Sequence, residues 1–368
     1  MKLRILTLGL ASAMLAACSG GNGGAQDSQV LNVYNYSDYI AEDTIPTFEK
    51  ESGIKVTYDV FDSDEMVETK LLAGNSGYDV VVPTLNFFGR QIQAGVFLPL
   101  DKSKIPNLAN LDPAVMKRIA TQDPGNQYGV PYMIGTTGIG YNVDMLKQRF
   151  GGSTDIANSW DLVFKPENIS KMKDCGVTIL DTPADMIPIA LHYLGLDPHS
   201  GDPAELQKAA DLLKSIRPYV QNFHSSQYVG SLANGGTCLV VGWSGDIIQA
   251  RPRRGSQQRR ARGLFDPEGR RPAVVRHAGD PEGCQAPGRA YAFINYLLQP
   301  KVAAANTNFI HYANPVPTAT PLVDEAIRTD PTIYPPPIVA EKMFTYSINT
   351  PETDKLYTRL WTEVKTGR

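Results

Sequence analysis

Short apolar runs alternate with capped amphipathic segments near the start of this sequence, and this alternation restricts the fold more than any other feature. Residues 30–36, 54–60 and 78–82 read as strands, and residues 44–52 and 65–73 between them read as helices. A strand–helix–strand rhythm of this kind produces a mostly parallel sheet with helices on its faces. The sequence therefore predicts an α/β fold.

A second α/β unit is predicted after residue 142. Residues 136–142 carry glycine at alternate positions beside strand-forming residues, which is typical of a strand that passes close to other backbone. We expect this strand to cross between two lobes, and the proline-rich residues 312–317 to cross back. A chain of 368 residues has room for two such domains. Further strands are predicted at 128–133, 176–180, 219–223 and 239–241, and further helices at 87–94, 186–194, 203–216, 227–234, 290–298 and 351–366.

The amino terminus has the features of an export signal. Two basic residues precede an apolar run, 5–15, that is too short to span a bilayer. The run leads to a Leu-Ala-Ala-Cys motif ending at Cys18, which resembles the bacterial lipobox, and an ordinary signal peptide with a chance cysteine is the alternative. We predict a lipoprotein-type signal peptide over 1–18, lipidation of Cys18, and a flexible tether over 19–29. The mature protein is then expected outside the cytoplasm.

Carboxylates accompany aromatic side chains after several predicted strands. An acid beside a flat aromatic ring suits a cationic ligand, through cation–π contacts and charge-assisted hydrogen bonds. The alternative is that the acids cap helices and the aromatic rings are ordinary core. Strand ends are where open α/β sheets place their ligands, and three such groups at equivalent places favour a binding cleft. The groups are Tyr36, Ser37, Asp38 and Tyr39 after the first strand, Asp181 and Asp185 after 176–180, and Trp243 and Asp246 after 239–241.

Catalytic and metal-binding patterns do not emerge from the sequence. It contains no GxSxG, no phosphate-binding loop and no GxGxxG after a strand, and its histidines lack metal-ligand spacing. Cys175 and Cys238 could pair in an oxidising compartment, which leaves Cys284 as an odd thiol. We therefore expect no enzymatic activity, no metal and no cofactor.

Seven stretches of the sequence together resemble one family. They look like the bacterial periplasmic putrescine/spermidine-binding proteins, the solute receptors of polyamine ABC importers. The resemblance covers roughly 31–249 and 290–368. The stretches are 33–40, 48–56, 58–63, 136–142, 159–162, 223–228 and 241–246.

The resemblance implies a two-lobe periplasmic-binding-protein fold with a hinge and a central cleft. Lobe 1 would comprise 30–135 and 247–316, and lobe 2 would comprise 136–246 and 317–368. Cys175 and Cys238 match the disulfide positions of the family. The ligand residues implied for the first lobe are Tyr36, Ser37, Asp38 and Tyr39, with Thr84 where relatives carry Ser. Asp185 would meet one ammonium end of the ligand, Trp243 would form the aromatic wall, and Asp246 would be a second ammonium anchor. Tyr312 would contribute from the returning segment.

The implied partners are a polyamine, putrescine or spermidine, and the permease subunits of an ABC importer. Contact with the membrane would be through the lipid anchor alone, and nucleic acid is not an expected partner. A polyamine-sensing partner of a membrane signalling protein is the alternative function, and an enzyme is a third.

Residues 251–289 depart from the family completely. They hold ten arginines against four carboxylates, a formal charge of +6, whereas the rest of the chain carries −9. A disordered basic insert and a nucleic-acid patch are two interpretations. We favour a compensated frameshift, in which one change of reading frame is reversed by a second. If each codon of this segment starts at the second base of the present codon, the translation permits residues like those of the family. As written, Arg276 occupies the place of a family carboxylate, and the segment lacks a strand-forming pattern. We therefore expect weak polyamine binding, or misfolding of the first lobe.

Overall fold

The structure is a computed structural model that describes residues 30–250, 287–335 and 343–367 in full, and 262–265 and 273–279 by their backbone alone. The signal peptide, Cys18, the tether and Cys284 lie outside the described residues. The frameshift also stays a prediction, since most of 251–289 lies outside them. Within the described ranges, no helix is long and apolar enough to cross a membrane.

The described strands form one continuous layer in the order β2-β1-β3-β9-β4-β7-β5-β6, with β8 also pairing with β4. The layer extends through both lobes, because strand β4 belongs to the sheet of each lobe. The strands are β1 Val30–Tyr36, β2 Lys55–Phe61, β3 Val80–Val81, β4 Gly129–Asn142, β5 Val177–Ile179, β6 Asn222–Phe223, β7 Leu239–Trp243, β8 Arg262–Phe265 and β9 Ala273–Gly279.

Helices cover the faces of both sheets, and short 3-10 turns connect several of them. In chain order they are α1 Thr44–Ser52, α2 Asp64–Leu72, α3 Leu85–Gln93, α4 Pro113–Ile119, α5 Val143–Arg149, α6 Asp161–Phe164, α7 Pro166–Ile169, α8 Pro183–Tyr193, α9 Pro203–Ile216, α10 Tyr228–Asn234, α11 Ser244–Gln249, α12 Pro287–Leu297, α13 Pro300–Ile310, α14 Glu325–Arg328 and α15 Pro351–Thr366.

The first lobe confirms the predicted parallel sheet. Strand β1 lies between β2 and β3 and runs parallel to both. Leu31 and Val33 on β1 are at most 1% exposed, because helices cover the sheet. Phe48 of α1 packs against Phe293 of α12 with ring centroids 5.1 Å apart, so residues after 286 return to complete this lobe.

Strand β4 is the structural link between the lobes. The sequence predicts two extended runs here, at 128–133 and 136–142, whereas the structure has one strand of 14 residues. Its first half pairs with β9 and its second half with β7 and β8. Gly140, in the predicted stretch, permits close approach, since a Cβ there would lie 2.5 Å from the side chain of Ile247, and Gly135 just before that stretch does the same for the ring of Tyr312. A second crossing runs beside it, where the Ile134 amide donates to the Ala313 carbonyl at 2.7 Å.

The second lobe is built on β5, which is parallel to both β6 and β7. The terminal helix α15 is tied to this lobe through Asp181. That carboxylate accepts hydrogen bonds from Trp361 Nε1 at 2.7 Å and from Lys365 Nζ at 2.8 Å. Asp181 therefore anchors a helix and does not belong with the other strand-end carboxylates of the predicted cleft. The exact lobe boundaries stay a prediction.

The segment 251–289 contains two strands, so the expectation that it lacks strand structure is wrong. Strand β9 fills the place between β3 and β4 and pairs with both, and β8 pairs with the second half of β4. Backbone pairing requires no particular side chain, and Val274 and Val275 are good strand formers. The backbone of Arg276 pairs with Met133 in this ladder.

A disulfide joins Cys175 and Cys238, whose Cα atoms lie 5.5 Å apart. It brackets a sequence separation of 63 residues, and closing a loop of that length stabilises the folded state by about 4 kcal/mol. We expect the Cys175→Ser/Cys238→Ser double variant to melt about 5 °C below the parent protein. Reductant should lower the melting temperature of the parent but not that of the variant. Equal melting temperatures for parent and variant would contradict this role.

Candidate ligand-binding cleft

The loop after β1 brings four of the predicted residues to the cleft. Tyr36 ends the strand, and Tyr36 and Tyr39 are buried, at 3% and 1% exposed. Asp38 between them has a φ of 55°, a left-handed conformation that Asp tolerates better than most residues. Its side chain is exposed, while the Ser37 hydroxyl donates to Asp62 Oδ1 at 2.9 Å. The turn thus points two rings inward and keeps one carboxylate at the rim.

Aromatic rings from four segments of the chain pack into one wall through edge-to-face and tilted contacts. Tyr36 meets Trp243 at a centroid distance of 5.7 Å and an angle of 82°, and Phe61 at 4.2 Å. Tyr39 meets Tyr312 at 4.8 Å. These residues come from β1 and its loop, β2, β7 and the returning segment, so the wall spans both lobes. Such a surface is suited to an apolar chain or to the methylene groups of a cation.

Asp246 is held beside this wall by two tyrosines. Its Oδ1 accepts from the Tyr312 hydroxyl at 2.7 Å, and its Oδ2 accepts from the Tyr228 hydroxyl at 2.8 Å. Tyr228 in turn accepts from the Trp243 amide at 3.0 Å. The helix-capping alternative for Asp246 fails, because α11 has no side-chain cap hydrogen bond. Trp243 is the last residue of β7, where the sequence predicts a turn, and it is 5% exposed.

A small cavity lies between these groups. It brings together six of the nine predicted ligand residues, and Tyr312 joins them through Asp246. The lining includes Ser225 and Val229 from the second lobe, which the sequence reasoning missed. The six predicted residues that line it are Tyr36, Ser37, Asp38, Tyr39, Trp243 and Asp246.

Asp185, another predicted ligand residue, is buried and is linked to the cleft through Thr137. It lies in the first turn of α8, is 7% exposed, and accepts from the Thr137 hydroxyl at 3.2 Å. Thr137 pairs with Trp243 in the ladder of β4 and β7, so Asp185 is connected to the aromatic wall. Burial, and then the charge of Asp185, raise the pKa of the neighbouring Tyr346 phenol, so that hydroxyl stays neutral.

Thr84 is buried but is already occupied. Its amide and hydroxyl donate to the two oxygens of Asp64 at 2.9 and 2.8 Å. Thr84 therefore positions Asp64. The role of Thr84 as a ligand residue stays a prediction. The sequence reasoning also missed Asp64 and Glu65 here, because it treated 62–64 only as helix caps. They follow β2, so the strand-end rule that selected Asp38 would have found them.

An interlobe ion cluster lies beside these groups. Arg90 of α3 donates to Glu68 of α2 at 2.6 and 2.7 Å, and it also contacts Asp354 in the first turn of α15. Arg90 is thus shared between the lobes. Among the described residues, no three His, Cys, Asp or Glu side chains are arranged to hold a metal ion.

Two lobes, two crossing segments and a cleft lined by carboxylates and aromatic rings are the architecture of a solute-binding receptor. Over residues 43–335, the chain matches the family described as bacterial extracellular solute-binding protein. The chain belongs to this family.

Individual relatives are similar over almost the whole chain. The putrescine-binding periplasmic protein SpuD of Pseudomonas aeruginosa is 47% identical over 96% of each chain. The putrescine-binding periplasmic protein PotF of Escherichia coli is 46% identical over 98% of this chain and 97% of its own. A solved structure of a putative spermidine/putrescine ABC transporter from Listeria monocytogenes aligns with a TM-score of 0.83 at 28% identity, covering 93% of this chain and 100% of that one.

Proposed function

We propose that this protein binds a polyamine, putrescine or spermidine, in the interlobe cleft and delivers it to the permease of an ABC importer. The observation that carries the proposal is Asp246, a carboxylate fixed by two tyrosine hydroxyls against a wall of aromatic rings. The names of the similar proteins SpuD and PotF support the same ligand class.

The layout of the cleft matches a chain with a positive charge at each end. Asp246 lies at one end of the aromatic wall, and Asp185 is linked to its other side through Thr137. Burying an ammonium group without an acceptor is costly, so each amine needs its own carboxylate. The methylene groups between two amines then lie against Trp243 and Tyr36. A monoamine would leave one acidic end unpaired.

In the proposed function, the protein performs no chemical step and requires no cofactor. Its place of action is the periplasm, where a lipid on Cys18 would hold it to a membrane through the tether 19–29. A disulfide between Cys175 and Cys238 suits that oxidising compartment. Genes for a permease and an ATPase beside this gene would favour import over the alternative, a polyamine-sensing role with a membrane signalling protein.

A calorimetric titration tests the ligand class and the effect of Arg276 together. We expect putrescine or spermidine to bind the chain as written weakly, because the family resemblance puts Arg276 at the place of a ligand carboxylate and a guanidinium cannot be neutralised. We expect the Arg276→Asp variant to bind at least about tenfold more tightly. Acetate and glutamate serve as anionic controls. Absence of polyamine binding by both proteins would refute the proposed function.

A further inference from the structure

Glu65 interacts electrostatically with Asp185 of the other lobe and is not accounted for by the groups described so far. It occupies the first turn of α2, and its Oε1 accepts a hydrogen bond from the Thr182 hydroxyl, just before α8, at 3.4 Å. Its Oε2 is enclosed and has no hydrogen-bond partner among the described residues. One oxygen of this carboxyl group is therefore bound across the lobes, and the other is buried without a hydrogen bond.

The charged groups that act most strongly on Glu65 are two carboxylates. Asp64 precedes it on α2, and Asp185 acts on it from α8. Glu65 forms no ion pair with any described residue, and the nearby cation Arg90 is engaged by Glu68 and Asp354. Burial raises the pKa of Glu65 to about 7, and the two aspartates add to the effect. Without a cation in the cleft, this carboxyl group holds its proton well above the ordinary range of glutamate.

We propose that Glu65 is a further ligand-binding residue, which loses its proton when the amine at the Asp185 end of the cleft arrives. This inference rests on the proposed function. The O–H bond of the carboxyl group breaks, the proton passes to solvent, and the resulting carboxylate pairs with the ligand ammonium group. The protein thereby offers less negative charge when empty than when filled.

Proton release is the measurable consequence. With a pKa of about 7 before binding, close to one proton should leave per ligand bound at pH 6, and about a tenth of a proton at pH 8. Affinity should therefore be about tenfold higher at pH 8 than at pH 6. The direction follows from mass action, because protons compete with the ligand for Glu65.

Calorimetry of the full chain with putrescine, in buffers of different ionisation enthalpy, counts these protons. Glu65→Gln should abolish the release and flatten the pH dependence. Glu352→Gln is the matched control, because Glu352 also lies in the first turn of a helix, α15, but is exposed. It should leave the proton count unchanged. Thermal melting of each variant verifies that it is folded.

The two proposals fail separately. Absence of any binding heat in both the parent and the Arg276→Asp protein would contradict the proposed function itself. Binding of putrescine by the parent protein without proton release at pH 6 would overturn only the role of Glu65, and that measurement does not depend on any variant. Proton release that persists in folded Glu65→Gln would assign the proton to another group and would equally overturn it.

Discussion

Replacing Asp246 with Asn should weaken polyamine binding by about 3 kcal/mol, roughly a hundredfold in Kd. The substitution keeps the size of the side chain but removes its charge, so the ligand ammonium group is buried beside a neutral amide. The carboxylate is already fixed by Tyr228 and Tyr312, so its negative charge requires no rearrangement on binding. Calorimetric titration with putrescine gives the change in Kd directly.

Two comparisons sharpen this test. Asp211→Asn removes an equal charge from an exposed position on α9 and should change Kd less than twofold, since distant surface charges are screened. Tyr228→Phe keeps the carboxylate but removes one of its two donors, so a loss of about tenfold is expected. An Asp246→Asn protein that binds putrescine as tightly as its parent would remove this residue from the site.

Replacing Trp243 with Ala should cost about 2–4 kcal/mol of binding free energy. The indole is part of the aromatic wall and meets Tyr36 edge to face, so its loss removes both the contact with the ligand methylene groups and the support of a neighbouring ring. Trp243→Phe keeps an aromatic face and should lose about 1 kcal/mol.

Intrinsic fluorescence assigns this effect to Trp243. The chain has three tryptophans, of which Trp160 is in the core and Trp361 bonds to Asp181. Binding of putrescine should change the emission of the parent and of the Trp160→Phe and Trp361→Phe proteins, but not that of Trp243→Phe. A ligand-induced change that survives in Trp243→Phe would place the ligand elsewhere.

Local patterns in the sequence predicted most of the fold. Helices 44–52, 203–216 and 351–366 agree with the structure at both ends, because proline, cap residues and terminal glycine mark them. The continuity of β4 was not predictable, since it depends on two sheets sharing one strand. Strands β8 and β9 were missed for a related reason. Their positions depend on backbone pairing with the open edges of β3 and β4, which local sequence does not reveal.

Part of the candidate site was likewise predictable from the sequence, and part was not. The rule that acids and aromatic rings at strand ends indicate a ligand site predicted Tyr36, Trp243 and Asp246. The structure brings these three residues to one cleft. The rule also selected Asp181, which instead holds α15, because sequence position alone does not distinguish the two sides of a strand end. Glu65 was missed because a helix-capping explanation seemed sufficient for its neighbours. Its significance comes from Asp185, more than a hundred residues away.

A crystal structure of the protein grown with putrescine tests the central claim most directly. We expect one ammonium group within about 2.7–3.2 Å of an Asp246 oxygen, the methylene chain against Trp243 and Tyr36, and the other ammonium group at the end formed by Asp185 and Glu65. Putrescine bound outside the interlobe cleft, or in the cleft without contact to either Asp246 or Asp185, would contradict the account.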